Sequence, residues 1–200
     1  MIWESHSWKN QLVADAKTIQ RWVSKTQHTQ RRCTLIERKV FLAAYAIRKL
    51  DDDYKLSTKF HDRSFPCRTY PAKSKAITLL NADKVDDLYQ LDCAKSETIS
   101  VRHLMDIIIH NLVFLELLRD DLTVEAFLVT SDRRKTRLWE IRADAFIKLM
   151  HDIGNDYPST FRYVCNPDTE EFVVWQGHGS PPASFEGRAQ QIMKHFRPHG

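Results

Sequence analysis

Leu112-Val-Phe-Leu-Glu-Leu-Leu118 and Val124-Glu-Ala-Phe-Leu-Val-Thr130 are the stretches whose reading decides the fold. Each is an apolar run of strand length, and Asp120-Asp121 lies between them as a turn. Arg137-Leu-Trp-Glu-Ile141 repeats the pattern after the polar segment Ser131-Asp132-Arg133-Arg134-Lys135-Thr136, so the three runs predict an antiparallel meander. Ala143 to Ile153 then reads as a helix with Phe146, Ile147, Leu149, Met150 and Ile153 on one face and Gly154 as a left-handed stop. Phe161-Arg-Tyr-Val-Cys165 and Phe172-Val-Val-Trp175 flank Asn166-Pro167-Asp168-Thr169, which predicts a hairpin.

Upstream of these runs the periodicity is helical. Trp8, Leu12, Ala16, Ile19, Trp22 and Val23 share a helical spacing behind Ser5 or Ser7, either of which suits a helix cap. Thr34-Leu-Ile-Glu37 has the pattern of a capping box, which predicts a second helix from there through Leu50. Its middle, with Val40, Phe41, Ala43, Ala44, Tyr45 and Ile47, has little polar surface and is expected at the centre of the helical half. From Asp51 to about Ser74, Pro66 and Pro71 interrupt any pattern and predict a long loop or extended arm. Ala76 to Leu80 suggests a short strand, and Asp83 a cap for one turn carrying Val85, Leu88 and Tyr89.

Helices first and an antiparallel sheet with one packed helix afterwards define an α+β fold. The expected organisation is a single domain over 1–176, helical to about 111 and β-rich from about 112, then a flexible linker and basic tail over 177–200. In that tail Ile192, Met193 and Phe196 fall on one side of a short helix.

Thirty basic residues against 26 acidic ones leave a net charge of +4, a mixed surface with weak attraction for polyanions. Cys33, Cys67, Cys93 and Cys165 form no CxxC pair and read as reduced thiols. The opening residues lack the features of a signal peptide and no run approaches a membrane span, so the expectation is a soluble cytoplasmic protein that contacts no membrane.

Between the two halves lies Ser100-Val-Arg102-His103-Leu-Met-Asp106-Ile-Ile-Ile-His110-Asn111. On a helix, Arg102, Asp106 and His110 form one polar stripe among apolar faces. The structural alternative, Asp106 bonded to Arg102 and His110 while the helix docks on the sheet, is preferred, because charges among apolar neighbours need partners whatever their role. The functional alternative gives His110 proton transfer, Arg102 the stabilisation of phosphate charge and Asp106 the orientation of the imidazole.

This segment, behind an N-terminal helical region, resembles the Arg and His motif helix of the HEPN superfamily, many of whose members are RNases of bacterial defence and toxin systems. The resemblance covers about a dozen residues and implies a metal-independent RNase using Arg102 and His110. Here His103 stands where the family places Asn or Asp, and the spacing is longer than the family's. Eight residues at about 1.5 Å each separate the two groups by roughly 12 Å, so one phosphate would need a second subunit or a bend to meet both. The β-rich second half is foreign to that all-helical family.

Arg133, Arg134, Lys135 and Arg137, with Trp139 beyond them, suggest a nucleic-acid contact in which cations meet phosphate and an aromatic stacks on a base. A solvated turn is the plainer reading and is preferred. Neither HExxH nor any paired His and Cys pattern is present, and no GxGxxG, GxxxxGK or GxSxG occurs, so no metal or cofactor is expected. The leading expectation is a non-catalytic accessory protein of a larger prokaryotic-type assembly that touches RNA or DNA through basic loops and pairs with a protein partner or a second copy. The HEPN-like RNase and a protein-interaction scaffold are the alternatives.

Overall fold

A computed structural model describes residues 2–61, 63–75 and 77–194. Five strands form an antiparallel sheet in the order β2-β1-β5-β4-β3: β1 (Ser64–Pro71), β2 (Lys95–Ser100), β3 (Asn111–Leu118), β4 (Val124–Ser131) and β5 (Arg137–Arg142). The expected meander is β3-β4-β5, with Leu115 opposite Leu128 and Phe127 opposite Ile141. The helices α1 (Ser5–Val23), α2 (Gln30–Asp52), α5 (Val101–Ile109) and α6 (Ala143–Gly154) bury their apolar stripes against one face, on Phe65, Cys67, Phe127, Val129, Trp139 and Ile141. Such burial stabilises the fold by roughly 1.5–3 kcal/mol per large apolar side chain. The fold is α+β, as the change of periodicity predicts.

The opposite face is covered by the connection from β1 to β2. Ile77, Val85, Leu88 and Tyr89 pack there on Tyr70, Val113, Leu128 and Leu138. The expected single turn is present as α4 (Val85–Leu88), but Lys84 rather than Asp83 precedes it. No strand forms over 77–80. Residues 79 and 80 lie in a turn with both leucines exposed, and Ala76 lies outside the described residues.

Four further expectations are corrected. The arm after Asp51 contains the short α3 (Thr58–His61) and β1, whose Phe65, Cys67 and Thr69 alternate inward. Pro66 is tolerated because β5 joins β1 only from Arg68 onward, leaving β2 as the sole neighbouring strand at Pro66. Helix α2 opens at Gln30, not Thr34: the Thr29 hydroxyl accepts from the Arg32 amide at 3.3 Å, while Thr34 donates back to the Gln30 carbonyl. Helix α1 starts after Glu4 with no side-chain cap from either serine. Gly154 is the last residue of α6 and is not left-handed. A Cβ there would meet Val13 Cγ2 at 2.5 Å and the Lys9 carbonyl at 3.0 Å, so glycine serves the close approach of α1.

The hairpin β6 (Thr160–Cys165) and β7 (Phe172–Gly177) forms as expected, but as a separate two-stranded sheet. Helix α7 (Ala183–Met193) covers one face with Phe185 and Ala189. Buried Asn166 closes the turn by accepting from the Asp168 amide and donating to the Ile192 carbonyl. Phe196 and the rest of 195–200 lie outside the described residues.

Candidate functional site

The polar stripe of α5 faces α2 rather than the sheet. Ser100 caps α5, its hydroxyl accepting from the His103 amide at 3.1 Å, and this fixes which side chains point where. Arg102 Nη1 donates to Asp51 and Asp52, both at 3.0 Å, and Arg48 Nη1 donates to Asp106. Arg48 also holds Asp52, and His61 lies 3.3 Å from Asp51. Charge thus alternates through a chain of ion pairs that bolts α5 and α3 onto the C-terminal turns of α2. The expected bonds from Asp106 to Arg102 and to the His110 ring are absent, because α2 offers both groups nearer partners.

His110 is the residue following α5, and its ring has no hydrogen bond or ion pair among the described residues. Its backbone carbonyl, however, accepts from the Asp132 amide at 2.9 Å, which ties the end of α5 to the β4–β5 turn. One helical stretch away, His103 Nε2 lies 3.0 Å from Arg134 Nη1. Arginine can only donate, so His103 accepts there as a neutral imidazole protonated on Nδ1. Burial, reinforced by the Arg134 charge and opposed by Asp106, holds the His103 pKa below its ordinary value. The structure therefore joins residues that the sequence presents as two separate candidates: Arg102, Asp106 and His110 are not brought together, whereas α5 and the basic turn are.

Within the turn the cations divide. Arg137 is occupied by both oxygens of Glu97, at 2.9 and 3.1 Å. Arg133 and Lys135 are exposed and their side chains have no ion pair or hydrogen bond among the described residues. Backbone bonds order the turn, with the Arg134 amide on the Ser131 carbonyl and the Tyr89 hydroxyl on the Lys135 carbonyl. Trp139 is 1% exposed and packed in the core, so the expected stacking on a base is not available to it. The alternation of β5 turns Trp139 toward the helices, a consequence of register that residue type alone does not reveal.

A third grouping escapes the sequence. His28, Cys33 and Glu116 converge where the start of α2 meets edge strand β3. Their only local signal is a histidine five residues before a cysteine. Glu116, 83 residues beyond Cys33, looks from the sequence like one charge interrupting an apolar strand.

Comparison with family models, curated proteins and solved structures finds no match to this chain. Among the described residues no helix is long and apolar enough to cross a membrane.

Proposed function

We propose that the protein is a non-catalytic binding subunit of a larger prokaryotic-type assembly that contacts the phosphate backbone of RNA or DNA through the β4–β5 turn and the adjoining end of α5. The observation that carries this reading is that Arg133 and Lys135 have no side-chain partner among the described residues and stand on a turn braced by α5 and Tyr89. Ordered, exposed cations suit phosphate, and with Trp139 buried the contact relies on charge and is indifferent to sequence. Anisotropy titration with single- and double-stranded oligonucleotides over a range of salt tests it: binding that weakens with salt is expected, and no binding even at low salt overturns it. The metal-independent RNase alternative has less support, since Arg102 is committed to Asp51 and Asp52. RNA incubated with the protein in EDTA should stay intact, and cleavage lost in both Arg102→Ala and His110→Ala would restore that alternative.

One observation favours an additional protein partner. Phe161, Tyr163 and Phe172 share the hairpin face away from α7, each more than half exposed, with the Tyr163 and Phe172 rings 5.8 Å apart. Light scattering across protein concentration should detect self-association if that partner is a second copy, and a constant monomer mass would exclude it.

A further inference from the structure

Three side chains of unlike chemistry meet at the start of α2. Cys33 Sγ lies 3.1 Å from His28 Nε2 and 3.5 Å from Glu116 Oε2, and those two atoms are 3.4 Å apart. A tetrahedral zinc ion, with bonds of about 2.3 Å to sulfur and about 2.0–2.1 Å to nitrogen and oxygen, places S and N roughly 3.6 Å apart, S and O roughly 3.5 Å, and N and O roughly 3.3 Å. The three separations are therefore within about half an ångström of a zinc ligand set before any metal is added.

A hydrogen-bonded trio would produce similar distances, and a metal site is told from it by a feature the trio lacks. Glu116 supplies one. Its side chain is 4% exposed, yet Oε1 has no hydrogen-bond partner among the described residues. All of its contacts among the described residues therefore fall on Oε2, and a buried carboxylate so thinly compensated is costly unless a cation offsets its charge there. Arg32 compensates it poorly: its Nη2 stands 3.8 Å from Glu116 Oε2, beyond hydrogen-bonding distance, and Arg32 Nε and Nη2 have no hydrogen-bond partner among the described residues. One thiolate and one carboxylate would offset a divalent ion, with the Arg32 guanidinium left as a separate outer cation. Cys33 lies in the first turn of α2, where the helix N-terminus favours a thiolate. A cysteine that ligates a metal does so as the thiolate, so binding here would release a proton and depend on pH. His28 is 39% exposed, which opens a path for the ion.

We propose that His28 Nε2, Cys33 Sγ and Glu116 Oε2 bind one divalent transition-metal ion, zinc by the mixture of nitrogen, sulfur and oxygen donors, with the fourth position open to water on the solvent side of His28. The soft thiolate and the imidazole select borderline-soft zinc over magnesium or calcium, which prefer oxygen alone.

Titrating the full chain with Co²⁺ tests this, because a thiolate bound to cobalt produces a charge-transfer band in the near ultraviolet. One equivalent should develop the band and zinc should bleach it. Cys33→Ser should abolish the band, while His28→Gln and Glu116→Gln should weaken Co²⁺ affinity at least about tenfold, the lower bound for losing even an outer partner of a metal ligand. Cys93→Ser, which removes an exposed thiol elsewhere, should leave the titration unchanged. No band at saturating Co²⁺, a band that survives Cys33→Ser, or a band lost in Cys93→Ser would each overturn the site. If Cys33→Ser fails to fold, the surface variant His28→Gln decides: unchanged affinity overturns the site and weakened affinity supports it.

Discussion

Replacing Arg102 by alanine removes a guanidinium nitrogen that donates to Asp51 and Asp52, each at 3.0 Å. A charge-assisted hydrogen bond contributes about 1.5–3 kcal/mol when sheltered, but Arg102 is 38% exposed, and solvent screening reduces each bond to about 0.5–1 kcal/mol. Neither carboxylate is abandoned, since His61 remains beside Asp51 and Arg48 remains on Asp52. The net cost is therefore set near the lower end, about 1 kcal/mol. In a chain of this length that corresponds to roughly 2–4 °C in Tm. Urea denaturation of Arg102→Ala, Asp51→Asn and the double variant measures it, and the cycle should return a coupling of about 0.5 kcal/mol between contacting partners. Nucleic-acid binding should be unchanged. An unmoved midpoint together with lost binding or lost RNA processing would refute the structural role of the stripe.

Other substitutions probe the remaining joints. Gly154→Ala forces a methyl against Val13 and the Lys9 carbonyl, so overpacking of about 1–3 kcal/mol should exceed the gain of about 1 kcal/mol in helix propensity, and thermal melting should register a net loss. Tyr70 donates to buried Glu140, and burial with that bond pushes its pKa up to about 12. Its raised folded pKa means stability falls as pH rises from 10 toward 12; Tyr70→Phe should lose that alkaline dependence and cost about 1–3 kcal/mol near neutrality. For His103 the sign is opposite in pH direction: its lowered folded pKa makes stability drain away as pH falls below 6.5, and His103→Gln should flatten this part of a Tm profile. An unchanged acid limb in that variant would remove His103 from the account.

The elements most legible in the sequence are those whose residues carry their own periodicity. The meander and α6 were readable because Phe127, Ile141 and Phe146 fall at strand and helix spacings that match the buried faces. Strand β1 was hidden by prolines that only the staggered pairing of its neighbours makes acceptable. Strand β2 had little to announce it, since Lys95-Ser-Glu-Thr-Ile-Ser100 is polar and lies at the sheet edge, where charge guards against unwanted pairing. The stripe of α5 was visible as a need for partners, but the partners Arg48, Asp51 and Asp52 come from another helix and follow from packing. For the same reason His28, Cys33 and Glu116 could not be grouped by spacing. In the basic turn, residue type identifies the cations, and only the structure separates Arg137, held by Glu97, from Arg133 and Lys135, which have no side-chain partner among the described residues.

The salt dependence of nucleic-acid affinity in the wild type and in the Arg133→Ser/Lys135→Ser variant tests the central claim most directly. Each phosphate contact contributes about 0.7–0.9 to the slope of log K against log salt, so losing two should make the slope shallower by about 1.4–1.8, with binding weakened alike for every sequence. Identical slopes and affinities for the two proteins would contradict the assignment of this turn as the nucleic-acid contact.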